Sequence, residues 1–289
     1  MDKIKEVADT VKVVAEVFPK STKSIDEVVS TVIDGFNLLL YPIKKASVSF
    51  NQRLEEFTEQ LRNRIHERGV KNIQYPDKAI SLPLLEALRY DIDNDELRNM
   101  FAELLVTAID GDTAHLAHPS YVDIIRRMSS FDARLFRYLV TSQRYIPAIN
   151  PVLKIVNDTA KVPTIYPKAM PEWYIDAEDF NSNIFQTSSS LQRLRDFGLV
   201  ELMRNTSGRG EDYSWAQRSQ QLLKIVHDYS MVKCNKVKLE YTRSIVSITD
   251  NGVQFASACS IDHHWISVIT PDGKVSPYKQ KTEAKLEAQ

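Results

Sequence analysis

The chain has 289 residues, 43% of them hydrophobic and 26% charged, with a formal net charge of −1. This composition fits a globular protein with a sizeable core, and it excludes a bulk electrostatic pull toward nucleic acid or anionic lipid, so any such affinity must come from a local patch. Two cysteines at no metal-binding spacing exclude a disulfide scaffold, and no apolar run approaches the roughly 20 residues of a membrane span.

The N-terminus is charged and amphipathic without a signal-peptide core, so the expectation is a cytoplasmic protein. Ile4, Val7, Ala8, Val11, Val14 and Phe18 fall at helical spacing up to Pro19. Ser24 caps a second helix whose apolar face is Ile25, Val28, Val29, Val32, Ile33, Phe36 and Leu40. Its polar side carries Asp26, Glu27 and Asp34, which anionic lipid would repel, so burial in a helical bundle is expected. A third helix carries Leu54, Phe57, Leu61 and Ile65 and stops at Gly69.

Residues 70–83, with Pro76 and Pro83, read as a linker before a short apolar helix from Leu84 to Tyr90. Asn94 caps the strongest helix, with Leu97, Met100, Phe101, Leu104, Leu105 and Ala108 on one face and Asp95 and Glu96 at its positive end. Pro119 opens a helix that runs through Met128, and Ser130 opens another. Five prolines between 145 and 175 suggest a long connection or short strands.

A short helix from about Ala177 to Phe185 is followed by one from Ser188 to Phe197, with Gly198 as its C-cap. LVELMR leaves as a strand. After the polar turn NTSGRGED comes a helix from about Trp215 to Tyr229, a strand KLEYTRSIVSI, and a helix with Thr249 as cap. The tail from Pro271 is polar and expected to be disordered.

The expected fold is mainly α: a helical domain over residues 1–128, a divergent winged helix-turn-helix domain over 129–262 with a helix inserted in the wing, and a tail from 263 to 289. In such a domain Leu191 and Leu194 pack inward and the Ser188–Phe197 helix presents Ser188, Ser189, Gln192, Arg193 and Arg195 to a DNA groove. The competing reading is a protein-binding or structural winged helix in which those residues are a solvated face. Asp196 and Glu201 offset the nearby arginines, and about 38 residues separate the two wing strands, which favours the second reading.

No defensible catalytic constellation appears, and no metal or cofactor site is expected. Pro271-Asp272 and Glu283-Ala284-Lys285 match a metal-nuclease spacing, but they lack the apolar strands that would converge them on an ion. His115 and His118 sit near Asp110 and Asp112, where a helix entry is the simpler account. No arginine stands five to seven residues before a histidine, the spacing of many small helical ribonucleases.

The segment LPLLEALRYDIDNDELRNMFAELLVTAIDGDTAHLAHPSYVDIIRRMSSFDARLF, residues 82–136, resembles the core of the bacterial abortive infection alpha family, and YPIKK at 41–45 followed by a charged helix is similar too. The resemblance implies a role in phage defence, in a prophage setting, and brings no established catalytic residues. Together with the missing catalytic groups it implies a non-enzymatic protein whose partner is a phage or host protein, with DNA a second candidate and self-association through the first domain a third. The alternative is a DNA-binding transcriptional regulator.

Overall fold

The computed structural model describes Glu27, Ser30 and Asp34 and then residues 48–156, 164–166, 169–207, 212–233, 236–262, 267–269 and 275–277. The helices expected before residue 42 lie outside the described residues, apart from Glu27, Ser30 and Asp34, which are helical. The described chain is mostly helical with a small antiparallel sheet. It forms two compact units, Met1–Ala133 with Gln254–Asp262 and Ile266–Gln289, and Arg134–Val253 with His263–Trp265.

In the first unit, α1 (Val48–Glu67), α2 (Lys78–Asp91), α3 (Asp95–Ile109) and α4 (Pro119–Arg127) surround a core in which Phe57, Leu61, Ile65, Leu84, Leu88, Phe101 and Leu105 are buried. The apolar spacing of each helix selects its inward face. α1 ends at Gly69, where φ is 61° and the Val70 N–H reaches the Ile65 carbonyl at 3.2 Å. Asn94 Oδ1 caps α3 by accepting the Leu97 N–H at 3.4 Å, and His118 caps α4 by accepting the Ser120 N–H at 3.2 Å.

α2 starts six residues earlier than its sequence suggests and contains Pro83. Asp77 accepts the Ala79 N–H at 2.8 Å and nucleates the first turn. Ile80 and Ser81 are buried on the same side as Leu84 and Leu88. Burying that longer face outweighs the hydrogen bond that proline withholds from the Ala79 carbonyl.

α1 and α3 are joined by a polar seam. Arg64 Nε lies 3.1 Å from Glu103 Oε1, and Arg68 pairs with the other oxygen of the same carboxylate. Arg68 also donates to Thr107 Oγ1 at 3.0 Å and to Ser260 Oγ.

α5 (Ser130–Ser142) opens at Ser130, as its sequence suggests. Ser129 and Asp132 satisfy each other's N–H groups, at 2.9 and 3.2 Å, in a reciprocal box. In the second unit follow β1 (Tyr145–Val156), β2 (Thr164–Tyr166) and β3 (Tyr174–Ile175), a 3-10 turn (Glu178–Asn183), α6 (Ile184–Asp196) and β4 (Val200–Arg204). Then come α7 (Trp215–Arg218), α8 (Gln220–Lys233), β5 (Lys236–Ile248) and α9 (Asp250–Ala258). The division between the units falls inside α5 and α9.

The sheet order is β2-β1-β5-β4, with β3 also on β1, and every named pairing is antiparallel. β1 occupies the proline-rich stretch. Pro147 and Pro151 stand four residues apart, so both imino nitrogens face the same edge of the strand. The ladder to β5 is continuous from Tyr145 to Val156. On the other edge β3 pairs with 148–149 and β2 with 153–155, leaving both prolines outside the pairings.

One face of the β1–β5 ribbon is covered by the α7–α8 insertion. Ile149, Leu153, Tyr174, Tyr213, Ala216 and Leu222 form its core, with Val237, Leu239 and Tyr241 packed against them. In the tail, β6 (Ser267–Ile269) and β7 (Val275–Pro277) pair antiparallel, so the disorder expected from Pro271 does not extend to Val275–Pro277.

Candidate functional site

α6 carries the residues expected to meet a partner. The helix begins at Ile184, four residues before Ser188, because Asn183 Oδ1 accepts the Gln186 N–H at 3.1 Å and takes the cap. The preceding 3-10 turn therefore runs directly into α6, and the two short helices expected here meet at the capping residue Asn183.

This start places Ser188 in the second turn, facing inward. It is 3% exposed, and its Oγ accepts the Trp173 N–H at 3.0 Å. Thr187 and Ser190 are buried beside it, and Leu191 and Leu194 pack inward as their spacing requires. Ser189 is exposed and donates to the Phe185 carbonyl at 3.0 Å. Gln192 and Arg193 are half-buried. Arg195 is exposed and held by its neighbour Asp196, Nε at 3.1 Å and Nη2 at 2.8 Å from Oδ1. Of the five residues, then, Ser189, Gln192, Arg193 and Arg195 contribute to the accessible side, and Ser188 secures the helix to the segment before it.

α6 closes as its sequence predicts. Gly198 has φ of 73°, its N–H reaches the Arg195 carbonyl at 2.8 Å, and the Leu199 N–H reaches Leu194 at 3.0 Å. The chain then turns into β4, which pairs with β5 from Val200–Ile248 to Arg204–Ser244.

The electrostatic setting of α6 is acidic. Asp176, Glu178 and Asp179, just before the helix, are all exposed. Burial pushes the Tyr138 hydroxyl above its ordinary range; a hydrogen bond with Ser142 works against that shift, and the carboxylates of Asp176, Asp179 and Glu178 add to it. Arg204 is engaged too, paired with Glu172 and lying over the Trp173 ring with its guanidinium carbon 5.2 Å from the centroid.

Sequence reasoning missed the aromatic lock that seats the insertion. Tyr213 donates to the Ser244 carbonyl at 3.0 Å, Arg243 lies 5.4 Å over the Tyr213 ring, and Tyr213 stacks on Trp215 at 6.5 Å. Tyr174 Oη meets Ser219 Oγ at 2.7 Å. A Tyr-x-Trp pair just after a polar turn was the available signal.

Among the described residues, no three of His, Cys, Asp and Glu gather as a ligand set for a metal, and no helix is long and apolar enough to cross a membrane. The tail residues Pro271, Asp272, Glu283 and Lys285 lie outside the described residues.

Over residues 49–259 the chain matches the family model described as abortive infection alpha. The chain belongs to that family. No curated protein and no solved structure gives a significant match. The abortive infection alpha match starts one residue inside α1 and ends one residue beyond α9. It therefore covers the 82–136 segment that carries the resemblance as well as α6, the insertion and the sheet.

Proposed function

We propose that this chain is a non-enzymatic cytoplasmic phage-defence protein of the abortive-infection type, acting by binding a phage or host protein. The family match across α1 to α9 carries the reading. Within it, the second unit is a winged helix variant: α5, β1, the 3-10 turn and α6, then β4 and β5, with β5 between β1 and β4. The insertion between β4 and β5 packs on one face of the ribbon.

The chemistry around α6 favours a protein partner over a DNA groove. Ser188 is committed to Trp173, and Arg195 to Asp196. Exposed Asp176, Glu178 and Asp179 face any phosphate that approaches the start of the helix. Phe185, 46% exposed in the first turn, gives a protein contact an aromatic anchor.

Plating a phage panel on cells with and without the gene tests the reading. Protection against at least one phage is expected, and it should be lost in Phe185→Ala while the purified variant keeps its melting temperature. Equal plating of every phage would sink it. The rival, a DNA-binding regulator working through α6, requires salt-sensitive duplex affinity that Arg193→Ala with Arg195→Ala removes.

A further inference from the structure

The open face of α6 is uneven in charge along its length. Phe185, Ser189 and Asp196 are exposed and Gln192 is half-buried, all at the spacing of one helix face, with Leu191 and Leu194 buried on the other. Before the N-terminal end of this face stand Asp176, Glu178 and Asp179, all exposed. The ion pairs of the second unit go elsewhere: Arg144 to Asp250, Lys154 to Glu240, Arg195 to Asp196 and Arg204 to Glu172. Among the described residues none reaches Asp176, Glu178 or Asp179.

These three charges act together. The Tyr138 hydroxyl is raised above its ordinary range first by burial, against a hydrogen bond with Ser142, and then by the carboxylates of Asp176, Asp179 and Glu178. The acidic segment is also held to α5: Tyr138 donates to the Asp176 carbonyl at 3.4 Å, and its ring meets Phe180 at 5.4 Å. The backbone N–H groups that open the 3-10 turn stabilise Glu178 and Asp179, but Asp176 stands ahead of that turn. From Asp179 to Phe185 is at most about 12 Å of 3-10 rise, so one short extended segment of another chain reaches both.

The same unit already shows what such a set of groups holds. Arg204 lies over the Trp173 ring and pairs with the Glu172 carboxylate, a guanidinium on an aromatic face with an acid to take its N–H groups. Phe185 and the three unpaired carboxylates present the same elements outward.

We propose that the N-terminal part of the α6 face, Phe185 with Asp176, Glu178 and Asp179, docks an arginine-bearing basic segment of the partner protein. The carboxylates pair with guanidinium groups, and one guanidinium stacks on the phenylalanine ring. The inference rests on the reading of α6 as a protein-binding face and adds the chemistry of what that face takes.

Fluorescence anisotropy of the full chain tests it with labelled peptides of equal length in which alanine alternates with arginine, with lysine or with glutamate. The arginine peptide should bind most tightly and lose affinity with added salt. The lysine peptide should bind more weakly, because an ammonium lacks the planar fork, and the glutamate peptide should not bind. Asp176→Asn with Glu178→Gln and Asp179→Asn should lower affinity for the arginine peptide about tenfold, as expected for the loss of several exposed ion pairs. Glu55→Gln with Glu59→Gln and Glu67→Gln removes as much charge from exposed positions of α1, and should change affinity less than about twofold if attraction is local. Phe185→Leu keeps an apolar side chain and should narrow the preference for arginine over lysine by about threefold. Should the triple variant at the site melt lower than the wild type, Asp176→Asn alone decides, with an expected loss of about twofold.

The proposal fails if the arginine peptide does not bind, if the glutamate peptide binds as well, or if the α1 variant loses as much affinity as the variant at the site. It fails too if the chain is a dimer that Phe185→Ala dissociates, since a second copy then covers the face. Phage protection that Phe185→Ala abolishes, without any binding of the arginine peptide, overturns the basic occupant and leaves the defence reading standing. Equal plating of every phage, with peptide binding as expected, upholds the basic occupant and overturns the defence reading.

Discussion

Among the described glycines, Gly252 has the closest backbone approach. A methyl group there would lie far inside contact distance of the Leu199 carbonyl oxygen and 3.0 Å from Ile248 Cγ2. The surrounding hydrogen bonds hold that approach: the Gly252 N–H reaches Thr249 Oγ1 at 2.9 Å, Thr249 Oγ1 donates to Gly198 at 2.6 Å, and the Thr249 N–H reaches Leu199 at 3.1 Å. Gly252→Ala must push the start of α9 off the turn that closes α6. Its expected cost is about 3 kcal/mol, at the upper end of overpacking penalties, read as a fall in the urea midpoint. Gly111→Ala is the control, because the nearest atoms there belong to the Asn72 side chain, which can swing away. Asp91, the last residue of α2, carries a different strain. Burial raises its carboxyl above the ordinary range, and Arg126 only partly opposes this. A carboxyl raised on folding is bound to its proton more tightly in the native state, so its contribution is most favourable in acid and is lost as pH rises through the folded value. At pH 7 the ionised group also sits at the negative end of the helix dipole. Asp91→Asn should therefore melt higher than the wild type at pH 7, with the gain shrinking to nothing as pH falls below the carboxylate range. Thermal melts at both ends of that range measure it.

At the level of elements, the sequence was readable wherever a cap or a left-handed glycine punctuated an apolar period. Asn94, Gly69, Gly198 and Thr249 each mark the boundary that the structure has, because those signals act within a few residues of themselves. The misplacements share another cause. β1 was legible as a long connection or short strands but not as one long strand, since its two prolines look prohibitive until β5 supplies a continuous ladder on one edge and both stand outside the pairings on the other. The start of α2 ran past Pro83 because a buried face was decided by neighbours far along the chain. The position of α6 turned on one residue. With Asn183 as the cap, Ser188 rotates inward, and one of the five expected contact residues becomes a fastener.

At the scale of the whole molecule, the C-terminal side of the first unit is fixed by α9 and the turn behind it. Phe255, Ala256 and Ala258 are fully buried, and Tyr121 meets Phe255 edge-on at 5.2 Å. Thr107 Oγ1 donates to the Ala258 carbonyl at 2.9 Å. Beyond the helix, Ser260 adopts φ of 51°, an unfavourable value for a residue with a side chain, which lets the Ile261 N–H return to the Ala256 carbonyl at 2.9 Å. The Arg68 bond to Ser260 Oγ and the burial of Cys259 and Ile261 hold that turn in place. Among the described residues, the three after α9 make the contacts that hold this end of the unit. Ending the chain after Asp262 should leave the melting temperature within a few degrees of the full-length value. Ending it after Ala258 removes an isoleucine burial of about 2 kcal/mol together with the Ser260 bond to Arg68. With a few kcal/mol lost in a domain of this size, melting should fall by on the order of 10 °C. Equal melting of the two truncations would show that the turn at Ser260 contributes nothing, and a large loss already at Asp262 would move the stabilising contacts into the hairpin of β6 and β7.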